Sequence, residues 1–129
     1  MLSGSRVHAT LPASDHDRAR RFYEGVLGLV PERVTPGGVF YGGDGGTRFF
    51  VFPSSGQASG AHTQMGFNVP DIEATIAHLR SRGVVLESYD FPGFDKSTGI
   101  ATFPANRSAW FKDTEGNLLG IVQMNEPLG

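Results

Sequence analysis

The sequence predicts an α+β fold made of two copies of one strand–helix–strands unit, and three observations predict it. His8-Ala9-Thr10-Leu11-Pro12-Ala13-Ser14-Asp15 and Gln64-Met65-Gly66-Phe67-Asn68-Val69-Pro70-Asp71 align at an offset of 56, and each runs straight into a helical pattern. Gly46 in the first copy matches Gly116 in the second at an offset of 70, the difference being absorbed by a longer loop around Tyr89 to Gly99. After each helix the chain continues as short strands parted by glycine-rich turns. The copies share pattern rather than letters, and the pattern reads βαβββ twice.

Each element has a local reason. Val7 to Leu11 alternates, with Val7, Ala9 and Leu11 on one face and His8 and Thr10 on the other, as a half-buried strand requires. Ser14 opens a capping-box-like Ser-Asp-His-Asp, and Asp15 and Asp17 complement the positive end of a helix over Asp15 to Leu27. Ala19, Phe22, Tyr23, Val26 and Leu27 form its apolar stripe, and Gly28 ends it. Leu29 to Val34, Val39 to Tyr41 and Arg48 to Phe52 are the next strands, turned by Pro36-Gly37-Gly38 and by Gly42-Gly43-Asp44-Gly45-Gly46. Ser54 to Ala61 reads as a linker. In the second copy His62 to Val69 alternates, Asp71 opens a helix with Ile72, Ile76 and Leu79 inward, and Gly83 closes it. Val84 to Glu87, Ile100 to Phe103, Ala109 to Lys112 and Leu118 to Met124 are the remaining strands, with a long loop at Ser88 to Gly99 and a hairpin turn at Asp113 to Asn117.

Bulk properties bound the function. A length of 129 residues fits one domain, residues 1–129, with modules at about 5–53 and 62–125 around a linker at 54–61. A formal net charge of −2 supplies no broad basic field, so nucleic acid is a poor partner, and no apolar run is long enough for a membrane span. The absence of cysteine excludes disulfides, thiolate chemistry and sulfur-ligated zinc; it suits a cytoplasmic protein. The N-terminus lacks the basic-then-apolar pattern of a secretory signal. No nucleophile elbow or phosphate-cradling motif is present, and Glu87 with Asp90 reads equally as an acid pair or as solvated surface.

Period-two alternation also assigns faces. Val7/Ala9/Leu11, Phe49/Val51, Met65/Phe67/Val69 and Leu119/Ile121 belong under the helices. The opposite faces carry His8/Thr10, Arg48/Phe50/Phe52, His62/Gln64/Gly66/Asn68, Trp110/Lys112 and Leu118/Gly120/Val122. Apolar walls with a few orienting groups suit a small-molecule cavity; a subunit interface is the competing reading.

Two stretches carry a resemblance. Ser14–Leu29 resembles the first helix of the vicinal oxygen chelate superfamily, which holds glyoxalase I, bleomycin-resistance proteins and extradiol dioxygenases. Ala109–Ile121 resembles its closing hairpin, and Phe67–Ile72 its second-module entry. The resemblance implies two βαβββ modules, each a half-sheet curved into a cup with its helix outside, and a chain that pairs as a homodimer. It also implies a divalent-metal position at His8, Phe50, Gln64 and Gly120, of which only His8 and Gln64 have donor side chains. His62 is a candidate third ligand, giving two imidazoles and no carboxylate, a weak set for a dication and one without a base for proton transfer.

Two functions follow. The first is metal-free sequestration of an aromatic metabolite or drug, as bleomycin-resistance relatives sequester a drug, with no cofactor. Its walls would be Phe50, Phe52, Trp110, Tyr89 and Phe91, with Phe94 beside them, and His8, Arg48, His62, Gln64 and Gly120 would complete the ligand site. The loop rings serve equally well as anchors of the long loop. The second is a metal-dependent lyase, isomerase or dioxygenase using His8, Gln64 and His62. A silent dimerisation module is a third reading.

Overall fold

The computed structural model describes residues 2–42 and 47–126, so the turn expected at Gly42–Gly46, with its Gly46 match, lies largely outside the described residues. The chain divides into two compact units, Met1–Gln57 and Ala58–Gly129. The α+β expectation holds: the first unit carries a four-stranded mixed sheet and the second a five-stranded one.

In the first unit, β1 (Ala9–Ala13) leads into helix α1 (His16–Arg20), and β2 (Pro31–Thr35), β3 (Gly38–Gly42) and β4 (Arg48–Pro53) complete the sheet in the order β1-β4-β3-β2. β1 runs parallel to β4, and the other pairs are antiparallel. β1 starts two residues later than the alternation suggests. Leu11 and Ala13, both fully buried, fix the strand under the helix, while Val7 lies outside it at 92% exposure. The helix cap also shifts by one residue. Asp15, not Ser14, has the extended backbone of an N-cap, and its Oδ1 accepts the Arg18 N–H at 3.0 Å.

The expected single α-helix gives way after Arg20 to a π-helical stretch over Arg21–Val26. There the Leu27 N–H reaches back five residues to the Phe22 carbonyl at 2.9 Å. The consecutive Phe22 and Tyr23 are both buried. Tyr23 stacks on Tyr41 at 5.6 Å and meets Phe49 at 5.6 Å, seating the helix on β3 and β4. Each such ring removed from water contributes about 2–3 kcal/mol of transfer free energy. At the rim of this layer Glu24 Oε2 accepts from Arg20 Nε at 2.7 Å and from the buried Tyr41 hydroxyl at 2.9 Å.

The second unit repeats the plan: β5 (Met65–Asn68), α2 (Ile72–Ser81), β6 (Phe94–Asp95), β7 (Ile100–Thr102), β8 (Asn106–Lys112) and β9 (Leu118–Met124), in the order β5-β9-β8-β7-β6. Asp71 caps α2 as Asp15 caps α1, accepting the Ala74 N–H at 3.0 Å, and Ile72, Ile76 and Leu79 are all buried as the spacing predicts. β5 begins at Met65, so His62 and Gln64 precede it. Of Val84 to Glu87 only Leu86 forms a bridge, to Phe111. The long loop folds back as a small hairpin of β6 against β7, held by Asp95, whose Oδ1 accepts from the Ser97 N–H and hydroxyl. The Asp113–Asn117 turn is the one expected. Asn117, fully buried, donates Nδ2 to Asp113 Oδ2 at 2.7 Å.

The repeat is carried into the sheet registers. Ala9 pairs with Phe49 and Met65 with Leu119; Phe40 pairs with Phe50 and Trp110 with Gly120. The offsets of 56 for the first strand and 70 for the closing hairpin therefore relate structurally equivalent positions.

Candidate functional site

In the first unit the helix covers Leu11, Val39, Tyr41, Phe49 and Val51, all buried. The alternate residues face the other way. Phe40 and Phe50 are register partners with ring centroids 4.4 Å apart, and Phe52 stacks on Phe50 at 6.1 Å with planes 10° apart. His8, one residue before β1, stands edge-on to Phe40 at 5.5 Å. The three phenylalanines are half-buried, so this face is an aromatic tier open on one side.

Two glycines make room for it. At Gly38 (φ +150°) an added Cβ would lie 2.7 Å from Phe50 Cζ and 2.5 Å from the Val51 carbonyl oxygen, so only a glycine lets that ring settle against β3. At Gly42 the space a side chain would fill is taken by the Glu32 carboxylate. Glu32 is there because of a register irregularity between Pro31 and Arg33, and it accepts from Arg48 Nε at 2.7 Å. Arg33 pairs with Phe40 across the strands. Glu32, Arg33, Phe40 and Arg48 together line a cavity of about 220 Å³.

In the second unit Trp110, Lys112, Leu118, Gly120, Val122, Gly66 and Asn68 occupy the face away from α2. Gly120 again makes room: a Cβ there would sit 3.6 Å from Trp110 Nε1 and 3.3 Å from Thr63 Cγ2, so the indole lies across bare backbone. Trp110 Nε1 donates to Thr63 Oγ1 at 3.0 Å. The loop rings gather on the same indole. Tyr89 meets it at 5.5 Å and Phe91 at 6.4 Å, and Phe94 and Phe103 close the cluster. Burial, with a smaller contribution from Glu87, raises the Tyr89 hydroxyl above its ordinary value, so it stays a neutral phenol.

The metal expectation meets this geometry badly. Phe50 offers a phenyl ring already packed between two others, and Gly120 offers no side chain. His8 is exposed against Phe40. Gln64 Oε1 is buried without a hydrogen-bond partner. Among the described residues no three His, Cys, Asp or Glu side chains group as a metal site. An imidazole and an amide, with no carboxylate, do not supply the charge a divalent ion needs, so the donor set does not fit one.

Within the first unit His8 and Phe50 both meet Phe40, Phe52 stacks on Phe50, and Arg48 is engaged with Glu32. Within the second, Tyr89, Phe91 and Trp110 form one cluster and Gly120 lies under the indole, while Gln64 joins the sheet through its N–H to the Leu118 carbonyl. His62 corrects the sequence reading. It was expected on a strand face beside Gln64, but it lies exposed in the bend before β5, because strand pairing with β9 starts only at Met65. Phe40, Glu32, Arg33 and Thr63 were missed. The offset of 70 from Trp110 leads to Phe40, but nothing in the sequence marks the bulge that brings Glu32 to Arg48.

Residues 5–121 match the family model described as the Glyoxalase/Bleomycin resistance protein/Dioxygenase superfamily. No curated protein matches the chain. Among solved structures, UcmS2 is 21% identical with a TM-score of 0.72, covering 92% of this chain and 97% of its own. TnmS3, an antibiotic binding protein from Streptomyces sp. CB03234, is 21% identical with a TM-score of 0.70, covering 95% and 98%. A lactoylglutathione lyase from Agrobacterium tumefaciens is 20% identical with a TM-score of 0.64, covering 93% of each chain. At these identities the likeness is one of fold.

Proposed function

We propose, starting from the fact that this chain belongs to the Glyoxalase/Bleomycin resistance protein/Dioxygenase superfamily, that it binds a planar aromatic metabolite or drug without a metal and sequesters it. The observation that carries this reading is the tier of Phe40, Phe50 and Phe52, in which Phe50 stands at a position that the family resemblance assigns to a metal donor. Stacking on such rings adds roughly 0.5–1.5 kcal/mol per aromatic pair beyond the area buried, enough to favour flat ligands over saturated ones. That TnmS3 is an antibiotic binding protein is consistent with this use of the fold.

The test is a panel of planar aromatic antibiotics read by thermal shift and by the emission of Trp110. A member that raises the melting temperature of the wild type but not of Phe40→Ala or Phe50→Ala supports sequestration. Silence across the panel in both readouts counts against it. Elemental analysis of protein purified without chelators addresses the second reading, a metal-dependent lyase, isomerase or dioxygenase, which the unpartnered Gln64 Oε1 favours. Stoichiometric metal that vanishes in His8→Ala would replace the first reading with the second. We further propose that the protein works in the cytoplasm as a homodimer, checked by light scattering at micromolar concentration. Among the described residues no helix is long and apolar enough to cross a membrane.

A further inference from the structure

Resting on the reading that the ligand is aromatic, we infer that the cavity beside β2 is an anion subsite, and that Arg33 receives a carboxylate or similar oxyanion carried by the aromatic ligand. The cavity measures about 220 Å³, below the roughly 300–1,000 Å³ that encloses a whole drug-sized molecule, so it suits one end of a ligand. Phe40 supplies its apolar wall and belongs at the same time to the ring tier with Phe50. A ring stacked on that tier therefore carries its substituent toward the other three lining residues.

Their charges decide what substituent is welcome. The sequence puts Arg48 in the ligand site, but Arg48 is already neutralised: its Nε lies 2.7 Å and its Nη2 2.6 Å from Glu32 Oε1. The side chain of Arg33, the register partner of Phe40, makes no hydrogen bond or ion pair among the described residues. Among the described residues the lining thus keeps one uncompensated guanidinium, a planar fork of donors matched to a carboxylate. In a chain whose formal net charge is −2, this positive excess is local to the cavity. The Glu32–Arg48 pair also limits the ligand, since the fixed carboxylate disfavours a second anionic group on the same side.

The experiment compares 2-naphthoate with its neutral near-isostere 2-naphthamide at pH 7, titrated by isothermal calorimetry and ligand-observed NMR. The wild type should bind naphthoate about two- to five-fold more tightly, the range for an ion pair on an exposed arginine. Arg33→Met should erase that preference, weakening naphthoate more than naphthamide, and Arg33→Lys should restore part of it. Phe40→Ala should weaken both probes equally. If the wild type binds both probes alike, if Arg33→Met keeps the preference, or if Phe40→Ala binds both as the wild type does, the subsite is refuted while aromatic binding stands. If neither probe binds at millimolar concentration and the antibiotic panel is also silent, the aromatic-ligand reading itself falls.

Discussion

Replacing Gly38 by alanine tests the account of the aromatic tier with a single methyl group. At φ +150° the residue sits where side chains rarely go, a strain of about 1–3 kcal/mol. The new Cβ would also stand 2.5 Å from the Val51 carbonyl oxygen and 2.7 Å from Phe50 Cζ. Phe50 can swing aside, but the carbonyl is backbone of the adjacent strand and yields only if β3 and β4 part; such overpacking adds about 1–3 kcal/mol. Together Gly38→Ala should cost about 3 kcal/mol or more, a large share of the roughly 5–15 kcal/mol that holds a domain folded. Urea denaturation followed by circular dichroism should show the midpoint falling by roughly 1–2 M at an unchanged slope. Gly25→Ala is the matched control, since a Cβ there meets nothing within 4 Å, and it should gain roughly 0.5–1 kcal/mol in the helix. A Gly38→Ala loss no larger than the ~0.5 kcal/mol of an ordinary surface change would refute the packing described.

Three further outcomes are expected. Glu24 is held below its ordinary value chiefly by the Arg20 hydrogen bond and further by the Tyr41 hydroxyl, against burial. A depressed folded value means that its contribution is present above the unfolded carboxylate's value of about 4.3 and is lost as pH falls through the folded one, so Glu24→Gln should flatten the acid limb of stability below about pH 4.5. Asn117→Ala removes a fully buried donor from Asp113, a residue 7% exposed, and should cost about 2–3 kcal/mol by thermal or urea unfolding. Asp15→Ala and Asp71→Ala each delete a helix cap and should each lose about 1 kcal/mol in the same assays, the similarity of the two losses being the point of measurement.

Much of the fold was legible because it rests on periodicity. Ile72, Ile76 and Leu79 at helical spacing, and Phe49 and Val51 at strand spacing, are buried where the pattern puts them. What misled were features set by partners distant in sequence. The start of β1 depends on which residues find β4, and His62 lost its strand for the same reason against β9. Phe22 and Tyr23 are buried as the apolar stripe expects, but the widening to a π-helical turn over Arg21–Val26 is not something that a stripe drawn at a fixed 3.6-residue period registers. At the site, rings were found because aromatic residues on a polar face are conspicuous. The Glu32–Arg48 pair was not, because it needs a local slip between β2 and β3 that leaves no mark in the letters.

The shared pairing scheme of the two sheets makes each a drafting plan for the other. Where the first holds two phenyl rings at 40 and 50, the second holds an indole at 110 lying over nothing but main chain at 120. A phenyl ring can thus be installed at 120 only if the indole at 110 is cut down to a phenyl in the same step. Trp110→Phe with Gly120→Phe transplants the first sheet's wall onto the second, whereas either change alone leaves a gap or a collision.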